Sequence, residues 1–136
     1  MKSLIKVKIE FIVLLFFGSL IFMAFTEDSE PWPVPSKYAK MENPTNVDKE
    51  SLAVGKSLYG KHCKSCHGKT GLGDGTKAAQ LETFSGDLTA NIYQSQTDGE
   101  HYYKTTFGRG EMPAYEKKIP DDEDRWHIVN YMRTFK

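Results

Sequence analysis

The sequence predicts a small all-α domain of three to four short helices closed around a bound group, preceded by a separate apolar N-terminal segment. Three observations carry this. Helix-start signals, Thr97-x-x-Glu100 and the acidic run Asp121–Asp124 behind Pro120, stand ahead of stretches with helically spaced apolar residues. No stretch reads convincingly as a strand, with apolar and polar residues alternating. Three or four short helices in roughly 90 residues also make a meagre core, which a large flat apolar group at the centre would complete.

Lys2, Lys6 and Lys8 precede an apolar run from Phe11 to Phe25, and Thr26-Glu27-Asp28 is abruptly polar. A basic region followed by an apolar one signals export. Residues 1–26 are therefore read as a signal anchor or transmembrane helix, with residues 9–25 in the membrane at the short limit of a span. Ala24-Phe25-Thr26 is a poor small-x-small cleavage pattern, so an uncleaved single-pass anchor is the preferred reading. The leading lysines would keep the N-terminus in the cytoplasm and place the rest at the periplasmic, outer face of the cell membrane. A soluble periplasmic protein released by cleavage is the alternative.

Residues 27–46 hold Pro31-Trp32-Pro33-Val34-Pro35 and Pro44. Such density of proline stops a helix and stiffens the chain, and predicts a Pro-rich stalk. The alternative is an arm packed on the domain, with Trp32 as its anchor. Lys and Arg total 18 against 18 Asp and Glu, so no net field points to nucleic acid.

The domain itself is placed at 47–136. Thr45-x-x-Asp48 resembles a capping box and opens a predicted helix from Val47 to His62, with Val54 and Leu58 on one stripe beside Gly55 and Tyr59. Gly68 to Gly75 contains four glycines in eight residues and reads as a loop. One short helical turn is expected within Leu81–Ala90. A helix opens at Thr97 and runs to Phe107, where Gly108 closes it. The loop Gly108-Arg109-Gly110-Glu111-Met112-Pro113 follows, and a last helix ends near Thr134 with Trp126, Ile128, Val129, Tyr131 and Met132 as its apolar surface.

The only two cysteines form Cys63-Lys64-Ser65-Cys66, followed at once by His67. Cys-x-x-Cys-His is the spacing of covalent haem attachment. Two thiols one turn apart can each add to a vinyl group on one haem edge, and the next residue presents an imidazole to the iron from the same side. A zinc site would need a second ligand pair, which is absent, and a redox dithiol expects a βαβ setting. A plain disulfide remains as the competing reading.

A second iron ligand must come from elsewhere in the chain. His62 adjoins Cys63 and cannot reach the opposite face, while His101, His127 and Met132 lie on predicted helices, where packing or solvent exposure is the ordinary role. Met112 sits between glycines and a proline, a setting that lets backbone approach a flat ring. The expected site is therefore one haem c held by Cys63, Cys66, His67 and Met112, with His67 and Met112 as the metal ligands.

Three features make Val47–Phe135 resemble the class I, monohaem cytochrome c family, in a membrane-anchored bacterial form. They are Gly55-x-x-x-Tyr59 leading into Cys63-x-x-Cys66-His67, the loop with Met112-Pro113, and the closing helix Trp126 to Tyr131. The resemblance implies the small cytochrome c fold, in which the first and last helices cross closely. Gly55 would allow that crossing, and Tyr59 would pack near Ile128 and Tyr131. A backbone carbonyl between Leu72 and Leu81 is expected to orient His67.

A haem with His and Met on both axial positions has no open site and changes oxidation state with little rearrangement. The expected role is electron transport in a respiratory chain, between redox-protein partners, with no small-molecule substrate and no catalysis of its own. Two alternatives are a fixed haem subunit of a larger membrane oxidoreductase complex and a haem enzyme or sensor with a displaceable Met112. Lysines 56, 61, 64, 69 and 77 against the single acid Asp74 suggest a basic docking front; a merely solvated face is the plainer reading.

Overall fold

Asp48, rather than Thr45, caps the first long helix. Its side chain accepts a hydrogen bond from the Ser51 backbone N–H at 2.9 Å, so the helix starts later than expected, at Lys49. Thr45 instead bonds back to Asn43, its N–H and hydroxyl donating to Asn43 Oδ1 at 3.0 and 2.7 Å. These details come from a computed structural model that describes residues 32–135. The apolar segment read as a signal or membrane anchor lies outside the described residues. Among those described, no helix is long and apolar enough to cross a membrane.

From Pro33 onward the chain forms one unit. Its helices are α1 (Ser36–Ala39), α2 (Lys49–His62), α3 (Lys64–His67), α4 (Asn91–Gln94), α5 (Asp98–Phe107) and α6 (Asp122–Met132). A single 3₁₀ turn spans Ala78–Gln80. Among the described residues there is no strand, only an isolated bridge between Arg109 and Met112. The all-α class is as the sequence predicts, with three long helices and short turns. The turn expected inside 81–90 is displaced to either side, into the 3₁₀ turn before it and α4 after it.

The expected capping box at Thr97 forms in full. Thr97 Oγ1 accepts from the Glu100 N–H while the Glu100 carboxylate accepts from the Thr97 N–H. Gly108 ends α5 with φ +63°, which a side chain would resist. Asp121 caps α6, and Asp122, Glu123 and Asp124 fill its first turn, where the helix dipole favours negative charge.

Among the described residues, helices α2 and α6 pack together more extensively than any other pair. Gly55 makes the approach possible: a Cβ there would stand 2.0 Å from the His127 carbonyl oxygen. Around this crossing lies a buried aromatic cluster. The Tyr59 ring meets Tyr131 at 5.5 Å and Phe135 at 5.1 Å, centroid to centroid. Tyr102 stacks on Trp126 at 4.2 Å, and Ile128 and Val129 are fully buried.

The stalk expected over 27–46 is, over residues 33–46, an arm on the domain surface. Tyr38 anchors it, packed against Tyr103 at 4.9 Å and edge-on to Phe107 at 5.4 Å. Gly99 makes room for it, since a Cβ would meet the Tyr38 carbonyl at 1.9 Å. Asn43 then donates to Asn130 Oδ1 at 2.7 Å and to Asp98 at 3.2 Å. Asn130 in turn donates to Thr45 and Ser51, so part of the hydrogen bonding of buried Asn130 depends on the arm being in place.

Candidate haem site

Helix α2 carries the chain to Cys63, and the one-turn helix α3 presents Cys66 and His67 three and four residues later. Two glycines fold the next loop back on this turn. A Cβ on Gly75 would stand 2.3 Å from the Ser65 carbonyl, and one on Gly68 would meet the Asp74 carboxylate at 1.8 Å. Tyr59 Oη donates to the Gly68 carbonyl at 2.8 Å, tying α2 to the end of the motif. Tyr115 Oη donates to the His62 carbonyl at 2.8 Å and fixes the other side.

Neither cysteine is in a disulfide. Cys63 is buried, and burial, with the neighbouring Cys66 charge, pushes its thiol up to about 12. Such a sulfur stays protonated at neutral pH. Among the described residues no three or more His, Cys, Asp and Glu side chains group in a way that could hold a metal ion, so the zinc reading gains no support.

His67 is lowered from the ordinary histidine value, chiefly by burial, with the Ser85 backbone acting in the opposite sense. The neutral imidazole is the ligand form. Its Nδ1 is buried without a hydrogen-bond partner, so the ring feels the Ser85 backbone without closing a bond to it. The orienting carbonyl was expected between Leu72 and Leu81; the group that acts on His67 lies just beyond. Ser85 is fixed by its own hydroxyl, which donates to the Cys66 carbonyl at 3.0 Å and the Gly73 carbonyl at 3.2 Å.

Met112 lies in a tight hairpin. Arg109 and Met112 exchange N–H···O bonds of 2.9 Å in both directions, with Gly110 and Glu111 between them. Gly110 has φ +55°, the conformation that such a two-residue turn needs at its first position. Gly108 is equally necessary, because a Cβ there would stand 2.3 Å from the Met112 carbonyl. The glycines thus let the loop fold against its own helix end. The Met112 side chain is half-buried.

Of the other possible iron ligands, His127 and Met132 have hydrogen-bond partners, while His101 packs as a ring with both nitrogens buried and unpartnered. The His101 ring lies on Tyr93 at 4.1 Å, and burial drives its value down to about 3. His127 Nδ1 is 2.8 Å from Ser51 Oγ. The Met132 sulfur accepts from Tyr93 Oη at 3.4 Å. Sequence reasoning missed Glu111, whose carboxylate accepts from the Glu82 N–H at 3.1 Å and from the Thr83 N–H and hydroxyl at 3.0 Å each. No local pattern pairs residues so far apart.

Residues 50–132 match the family model described as cytochrome c oxidase, cbb3-type, subunit III. A curated relative, the quinohemoprotein alcohol dehydrogenase ADH IIB of Pseudomonas putida, is 26% identical over 98 residues, covering 68% of this chain and 12% of that protein. The chain thus spans only a small part of that relative's length. A solved structure from Kuenenia stuttgartiensis, the reducing HAO-like protein complex, aligns with TM-score 0.62 at 24% identity over 78% of this chain and 52% of its own. That likeness speaks to the fold. The family match over more than half of the chain, with the attachment motif inside it, settles kinship: the chain belongs to the class I cytochrome c family, whose members carry haem c and iron.

Proposed function

We propose that this domain is a one-electron carrier with a single haem c, joined by thioethers to Cys63 and Cys66 and ligated by His67 and Met112. The observation that carries the reading is the division of the site. A half-buried imidazole stands beside two cysteines that are in no disulfide, while Met112 is presented by a tight, glycine-flanked hairpin. When bound, the haem supplies an iron that changes between two oxidation states, at a potential raised by methionine ligation.

The chain's own residues do the rest. Ser85 holds the loop beside His67, and the Tyr59 and Tyr115 hydroxyls brace the two ends of the attachment turn. The aromatic cluster around the α2–α6 crossing keeps water from the interior. We place the domain at the outer face of the cell membrane, tethered by residues 9–25, in a respiratory chain.

A spectrum tests the core of this. Pyridine haemochrome should report two thioether bonds and one haem per chain, and the oxidised protein should show the methionine–iron charge-transfer band. Met112→Ala should abolish that band, open the iron to added ligands and lower the potential. A band that survives Met112→Ala would reject the ligand assignment.

A second reading is a fixed subunit or domain of a larger redox assembly. The relatives support it, one being a much longer dehydrogenase and the other a part of a protein complex. A stoichiometric partner retained through detergent purification would select it over a free carrier.

A further inference from the structure

We propose that Glu111 is a latch that holds the Met112 hairpin shut against the segment 82–85, and so sets how readily the sixth iron position opens. The inference rests on the proposed ligation by Met112 and goes beyond it. Glu111 occupies the second position of the hairpin turn, next to Met112, and its two carboxylate oxygens take three hydrogen bonds from residues 28 and 29 positions earlier. Two of the donors are backbone N–H groups, so the grip fixes the path of the 82–83 chain and not merely a side chain. Bonds to a charged acceptor are stronger than neutral ones.

What this grip connects makes it more than a surface contact. Two residues beyond Thr83, Ser85 sits against the attachment turn, with its hydroxyl on the Cys66 and Gly73 carbonyls. One short stretch of chain therefore touches the attachment turn at Ser85 and the Met112 hairpin at Glu82 and Thr83. The hairpin's own ladder consists of the two Arg109–Met112 bonds, and Gly110 has nothing within 4 Å of where a Cβ would stand. The carboxylate ties the tip of this turn to a distant stretch of chain.

The test uses the full-length holoprotein and imidazole as the probe, which binds ferric iron only after Met112 leaves. Glu111→Gln keeps the size of the side chain and removes its charge. The limiting rate of imidazole binding should rise about tenfold, the ratio equivalent to ~1.4 kcal/mol, with haem content and helicity unchanged. Thr83→Val removes one of the three bonds and should fall between wild type and Glu111→Gln. If Glu111→Gln unfolds at lower denaturant but binds imidazole at the wild-type rate, Glu111 is only a brace and the latch is rejected. If the wild-type protein lacks the methionine–iron band, the ligation reading itself falls and takes the latch with it. A band present in wild type, with equal imidazole rates in both proteins, overturns the latch alone.

Discussion

Gly55 and His127 touch so closely that the carbonyl oxygen of His127 occupies the space where a side chain on Gly55 would begin. The neighbouring Tyr131 Cβ lies 2.9 Å from the same point. Both obstacles belong to one helix, so neither can yield without moving α6. Gly55→Ala should therefore destabilise the holoprotein by about 1–3 kcal/mol, the usual cost of overpacking, despite alanine's better helix propensity. Urea unfolding checks this. At Gly60, where nothing lies within 4 Å, the same change should stabilise α2 by several tenths of a kcal/mol or more.

The arm is held through Asn130, which is 1% exposed and joins Asn43, Thr45 and Ser51. Asn130→Ala should leave buried partners unsatisfied and cost about 1–3 kcal/mol. It should also release the arm selectively. Hydrogen exchange at residues 36–46 should speed up more than exchange in α2, and a uniform change across the domain would contradict the picture.

Buried His101 gives the fold an acid sensitivity with a definite sign. Its value falls from 6.5 to about 3, first through burial and then through the Arg133 and Lys104 charges, with Asp98 opposing. The unfolded chain takes up this proton below about pH 6.5 while the folded chain refuses it, so stability declines as pH drops toward 3. One such group contributes a slope of ~1.4 kcal/mol per pH unit in that window. His101→Phe should keep the stacking with Tyr93 and remove this slope. Comparing urea midpoints of the two proteins at neutral pH and near pH 4.5 measures it.

Lysines 56, 61, 64, 69 and 77 are all exposed, on α2 and the attachment loop. Leu72 and Phe84 also reach solvent nearby in sequence, at 47% and 63% exposure. If this face meets an acidic partner, electron transfer should slow markedly as salt rises through the physiological range. A rate that ignores ionic strength would leave the lysines as ordinary solvated charge.

Local signals were legible wherever the physics is local. Thr97 with Glu100, Gly108 at a helix end and the acids behind Pro120 act within one turn, and each sits where its pattern implies. The cysteine motif is legible for the same reason, because its chemistry depends on spacing alone. The Gly55 crossing was reached through family resemblance. Thr45 misled because two capping residues stood close together and Asx-turn chemistry at Asn43 claimed it first. Ser85 and Glu111 stayed hidden, since their partners lie 12 to 29 positions away and no periodicity encodes such pairs. The arm was an open choice for a similar reason: proline density describes stiffness, and only Tyr38 and Asn43 meeting α5 and α6 decide where a stiff segment lies.

The docked arm would shorten the leash. On the proposed tether through residues 9–25, a domain unit that begins at Pro33 leaves only residues 26–32 as free line. Seven residues fully extended reach ~25 Å at most. A domain so tethered would not roam between distant complexes. Its donor and acceptor would have to come within a shell about one small protein deep above the lipid, and exchange would become a matter of rotation and lateral encounter rather than of free diffusion.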